Sequence, residues 1–122
     1  MTHEDFDTFF NQFLVTALWS SNDDAGQPLD NRFTPSDFTP RALEILRAHA
    51  LSFWSRMYYY IEHETTNRTA GDAGHDFWLT SQGHGSGFWD GDWPVYGDML
   101  TDLSKCYPTI DITITEDNRL AI

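Results

Sequence analysis

A chain of 122 residues fits one domain and leaves little room for two. Aromatic residues make up 16% of it, enough to bury a sizeable core without disulfides or metal. With 19 acidic residues against 7 basic ones and a net charge of -12, the chain repels phosphate backbones and anionic membrane surfaces. Direct nucleic-acid binding and membrane association are therefore not expected, whereas basic protein partners are attracted.

The first predicted element is a helix over residues 3–19. Phe6, Phe9, Phe10, Phe13, Leu14, Ala17 and Leu18 recur at i, i+3, i+4, i+7, i+8 and share one helical face. Thr2 is placed to cap it, and Glu4, Asp5 and Asp7 suit the positive end of its dipole. The acidic start from Met1 to Asp5 has no apolar core of a secretory signal, and no run reaches the roughly eighteen apolar residues of a spanning helix.

Residues 20–33 read as a loop and 34–38 as one helical turn. Thr39-Pro40 then supplies an N-cap and a proline at the first helical position of a second helix, 40–63. Leu43, Leu46, Ala50, Phe53, Met57 and Ile61 form its inner stripe, widened by Trp54, Tyr58 and Tyr60. His49 and His63 belong to this helix as structural residues.

Residues 64–75 are a polar loop. Phe77-Trp78-Leu79-Thr80 reads as a strand, Ser81–Gly87 as a glycine-rich turn, and Phe88-Trp89-Asp90 as the returning strand of a hairpin. A third helix is predicted over 96–106, with Met99, Leu100 and Leu103 inward. Ile110, Ile112 and Ile114 alternate with polar residues in the period of a half-buried strand, and Leu120 and Ile122 pair back after a turn at Asp117-Asn118. The fold class is thus α+β: one domain over residues 1–122, with two long amphipathic helices and a third short one on a small antiparallel sheet of short strands. Cys106, the single cysteine, reads as a buried structural thiol, which agrees with a cytoplasmic setting.

Chemistry-bearing residues crowd into the segment from His75 to Trp93. Its candidate binding residues are His75, Asp76, Trp78, His84, Phe88, Trp89, Asp90, Asp92 and Trp93. Four readings compete. His75 and His84 with nearby aspartates offer imidazole and carboxylate ligands to a metal, facing one another across the hairpin, although no metal-site spacing is matched. Ser81 or Ser86 with His84 and Asp90 could form a nucleophile, base and orienter, without the nucleophile-elbow spacing. Gly83-His84-Gly85-Ser86-Gly87 could cradle an anion, but the neighbouring aspartates oppose it. In the simplest reading the glycines shape a tight turn and the aromatic residues pack under the helices, which leaves room for a binding surface because tryptophan is enriched at interface hot spots.

The motif Asp76-Phe77-Trp78-Leu79-Thr80, then Gly83-His84-Gly85, then Gly87-Phe88-Trp89-Asp90 resembles the signature of a family of small proteins encoded by bacteriophages and prophages. Ala17-Leu18-Trp19-Ser20 upstream is similar to that family too, whereas Gly91–Gly97 falls outside the pattern. The family has no assigned activity, so the resemblance implies a phage accessory gene and transfers no catalytic residue. The leading expectation is a non-enzymatic protein in the host cytoplasm, without cofactor. It binds a basic, nucleic-acid-handling host protein and modulates a host enzyme or defence component. The alternatives are a small metal-dependent hydrolase using His75, His84 and nearby aspartates, and a virion structural or assembly factor.

Overall fold

The computed structural model describes residues 3–64 and 67–122. Four helices carry half of the chain: α1 (His3–Ser20), α2 (Pro40–Glu62), α3 (Ala70–Ser81) and α4 (Gly97–Ser104). Two 3-10 turns, Leu29–Asn31 and Pro35–Asp37, lie between α1 and α2, and a two-stranded hairpin, β1 (Thr113–Ile114) and β2 (Leu120–Ala121), follows α4. The class is α+β, with the helices dominant. The expected N-cap Thr2 lies outside the described residues.

The first two helices follow their sequence patterns. Six of the seven residues of the predicted α1 stripe are buried, and Phe10 packs against their edge. Thr39 Oγ1 accepts the Ala42 N–H at 3.2 Å and so caps α2. Of the predicted α2 stripe, Leu46, Ala50, Phe53, Met57 and Ile61 are buried and Leu43 is half-buried; of the residues expected to widen it, Trp54 is buried, Tyr60 half-buried and Tyr58 exposed.

The predicted hairpin over residues 77–90 is instead the helix α3 followed by a turn. The helix starts inside the segment read as a polar loop. Thr69 Oγ1 accepts the Asp72 N–H at 3.1 Å, and Asp72 Oδ2 accepts the Thr69 N–H at 3.0 Å, a reciprocal capping box. From there Ala70, Ala73, Gly74, Phe77, Trp78 and Ser81 recur every three or four residues and are all buried. The run Phe77–Thr80 looked like a strand because it is buried on nearly every side, a pattern that periodicity cannot assign in so short a stretch.

α3 packs most extensively on α1. Gly74 makes this closeness feasible, since a Cβ there would overlap the Phe9 carbonyl oxygen. Phe77 then stacks on Phe53 of α2, ring centres 4.0 Å apart, and Phe13 meets Trp78 edge-on at 5.4 Å. The Trp78 indole donates to Ser20 Oγ at 2.8 Å and so satisfies its one polar atom at the end of α1.

The sheet is smaller than predicted. β1 and β2 pair antiparallel with Thr113 opposite Ala121 and Ile114 opposite Leu120, and Asn118 turns the chain with a φ of 63°. Leu120 is buried and also bridges Phe38, which ties the hairpin to the head of α2. Ile110 and Ile112 are half-buried outside any strand, and Ile114 is exposed. α4 is two turns long, with Leu100 inward and Met99 exposed. Cys106, expected to be buried, is exposed, because α4 ends before it and the chain turns outward there.

Candidate functional site

A cleft of about 470 Å³ opens between the head of α3, the side of α1 and the loop that follows α3. Arg68, Asp72, His75 and Asp76 line it from α3 and its approach, Gln12 from α1, and Asp90 and Asp92 from the loop. Asp72, His75 and Asp76 stand at i, i+3 and i+4 of α3, so the helical period places them on one face, and Arg68 joins them from the segment just ahead of the Thr69 cap.

Asp76 is the pivot. It is buried, and its two carboxylate oxygens are divided between two partners. Oδ2 accepts from the buried Trp93 indole at 2.6 Å, and Oδ1 lies 2.9 Å from His75 Nδ1. Burial pushes the Asp76 carboxyl above the ordinary aspartate range; the bonds from His75 and Trp93 and the charge of His75 oppose that rise, and Asp90 adds to it. The His75 side chain is 38% exposed, and the Trp19 ring stacks on it at 5.7 Å.

The structure separates the remaining sequence candidates. His75, Asp76, Asp90 and Asp92 meet at the cleft, with Trp93 bonded to Asp76 from behind. Trp78 and Phe88 belong to the core. His84 lies beyond the C-terminus of α3, at the other end of the helix from the Thr69 cap, so it does not face His75 as a hairpin would have required. Gly83 takes a φ of 77°, its N–H bonds the Thr80 carbonyl and the His84 N–H bonds the Leu79 carbonyl, the bond pattern of a Schellman stop. Among the described residues no group of three or more His, Cys, Asp or Glu is placed to hold a metal ion.

The other two readings of the glycine-rich turn also change. Four amides in and beside it are engaged internally: besides Gly83 and His84, the Gly87 N–H reaches Asp90 Oδ2 at 3.4 Å and the Phe88 N–H reaches Thr80 Oγ1 at 3.1 Å. Ser81 is buried and donates to the Trp78 carbonyl at 3.0 Å. These bonds fold Phe88 inward and leave its neighbour Trp89 outward, 52% exposed beside Asp90.

Sequence reasoning passed over Arg68, Asp72, Gln12 and Trp19 as site residues. The Thr69-x-x-Asp72 spacing was the available signal: once it starts a helix there, Asp72 falls on the face of His75 and Asp76, with Arg68 just ahead of the cap. Glu64 was missed as well. It is buried, and its carboxylate accepts the Val95 N–H at 3.2 Å and the Tyr96 N–H at 3.0 Å just ahead of α4.

Comparison with protein-family models, with curated proteins and with solved structures found no match. Among the described residues no helix is long and apolar enough to cross a membrane.

Proposed function

We propose that this chain is a small acidic accessory protein of the phage type that binds a basic, nucleic-acid-handling host protein in the host cytoplasm and modulates a host enzyme or defence component. The observation that carries the reading is the placement of Trp89. Trp89 is half-exposed and stands in the chain between core Phe88 and cleft-lining Asp90, so an aromatic anchor adjoins the loop that brings Asp90 and Asp92 to the cleft. Exposed tryptophan supplies contact area at low entropic cost, and a net charge of -12 steers a basic partner toward it. The resemblance of the Asp76–Asp90 signature to a phage-encoded family supports the host setting.

The test is a pull-down of the tagged protein from bacterial lysate at low and moderate salt, with mass spectrometry of what is retained. The expected result is one enriched basic protein that survives moderate salt and is lost from the Trp89→Ala/Asp90→Asn variant. Retention of no protein at either salt, or of only a broad set of basic proteins that moderate salt removes, would contradict the reading.

A further inference from the structure

His75 and Asp76 form a carboxylate–imidazole pair that docking does not require. Trp93 occupies one Asp76 oxygen at 2.6 Å and thereby fixes the other against His75 Nδ1 at 2.9 Å. The stacked Trp19 ring restrains the imidazole further. An imidazole whose Nδ1–H points at a carboxylate carries its lone pair on Nε2, the tautomer of a general base. The ring lines the cleft and is partly open to water.

Arg68 lines the same cleft, and its Nε is buried without a hydrogen-bond partner among the described residues. Among the described residues Arg68 is the one guanidinium lining the cleft, and it is half-buried, so its outer N–H groups suit an oxygen of a bound molecule. The volume, about 470 Å³, is that of a small-molecule site. A base with its orienting acid, a donor for developing negative charge and room for a substrate are the parts that hydrolysis by water needs.

We propose that this cleft hydrolyses small uncharged or cationic carboxylic esters, with His75 as general base, Arg68 as oxyanion donor and Asp76 as the positioning residue. His75 Nε2 takes a proton from water as the water oxygen bonds to the ester carbonyl carbon. The carbonyl electron pair moves onto its oxygen, where Arg68 donates. As the oxyanion collapses, the carbon–alkoxide bond breaks and the imidazolium returns the proton to the leaving oxygen, giving acid and alcohol with the enzyme unchanged. The carboxylates of Asp72, Asp90 and Asp92 select against anionic esters. The proposed hydrolysis does not rest on the proposed partner.

The experiment compares hydrolysis of p-nitrophenyl acetate with that of the mono-p-nitrophenyl ester of succinic acid, against free imidazole at equal concentration. The wild type should turn over the neutral ester with saturation kinetics, faster than imidazole, and prefer it to the anionic ester. His75→Gln and Arg68→Gln should each lower kcat/KM about 100-fold. Asp76→Asn should lower kcat with little change in KM, a split that general loosening of the cleft does not produce. If Asp76→Asn fails to fold, the partly exposed His75 and Arg68 carry the test. A wild-type rate no greater than that of imidazole, or a His75→Gln variant that keeps the rate, overturns the proposal.

Discussion

The Trp93 indole donates to the Asp76 carboxylate at 2.6 Å, both side chains buried and seventeen residues apart in sequence. This bond holds the loop after α3 against the helix and so shapes the cleft. Trp93→Phe keeps most of the ring packing but leaves a buried carboxylate short of a donor. It should cost about 1–3 kcal/mol in urea unfolding, the usual penalty for stranding a buried polar group. A loss below about 0.5 kcal/mol, the level of a neutral surface change, would show that the loop is held by packing alone.

Asp76 also gives stability a pH dependence of known sign. Burial, the largest influence, raises its folded pKa above the unfolded value, so the native state holds this proton more tightly than the unfolded chain. The contribution of Asp76 is therefore greatest at low pH and is lost as pH rises from the ordinary aspartate range through the folded value. Asp76→Asn lacks that loss. Its stability relative to wild type should climb with pH across this window and then level off, as read by denaturant unfolding at several pH values. A difference that shrinks with rising pH would mean that the His75 and Trp93 bonds outweigh burial.

Glu64 caps a helix to which it does not belong. The N-cap of α4, Tyr96, makes no side-chain cap of its own, and the Glu64 carboxylate accepts the two amides at Val95 and Tyr96 instead. A carboxylate at a helix N-terminus satisfies orphan donors and the dipole together. Glu64→Ala should cost about 1–3 kcal/mol, with Glu64→Gln costing less because one acceptor oxygen remains. Equal losses in the two variants would assign the effect to charge and leave the hydrogen bonds no separate role.

The α1–α3 contact depends on a missing methyl. Gly74→Ala would drive a Cβ into the Phe9 carbonyl and force the helices apart, a backbone clash that should cost at least about 1–3 kcal/mol in thermal unfolding. Gly85→Ala, which meets nothing within 4 Å, should stay within about 0.5 kcal/mol of wild type. Similar melting temperatures for the two variants would mean that the helices can separate without loss.

Legibility in the sequence followed the strength of each local signal. α1 and α2 were readable because their apolar stripes run for four turns or more and Thr39-Pro40 marks a start. α3 was not, because its second half, Asp76–Ser81, is buried on every side and shows no period, and its capping box lay within a glycine- and threonine-rich stretch. That one misreading also rearranged the site. As a hairpin, residues 77–90 pair His75 with His84; as a helix, they turn His75 and Asp76 toward Asp72 and Arg68 and leave His84 at the far end. The acidity was legible, but Trp89, expected to pack under the helices with the other aromatic residues, is exposed, and the bond from Trp93 to Asp76 spans a loop that no local pattern predicts.

The proposed binding runs through the Trp89 face and not through net charge alone. Quantitative pull-downs of the wild type, Trp89→Ala and Asp111→Asn from the same lysate separate the two. Trp89→Ala keeps every charge, and Asp111→Asn removes one exposed charge distant in sequence from the cleft. Recovery of the basic partner should fall at least tenfold for Trp89→Ala and stay within twofold for Asp111→Asn, on the scale of an interface anchor against a rim charge. Equal recovery of the partner by wild type and Trp89→Ala would contradict binding through the Trp89 face.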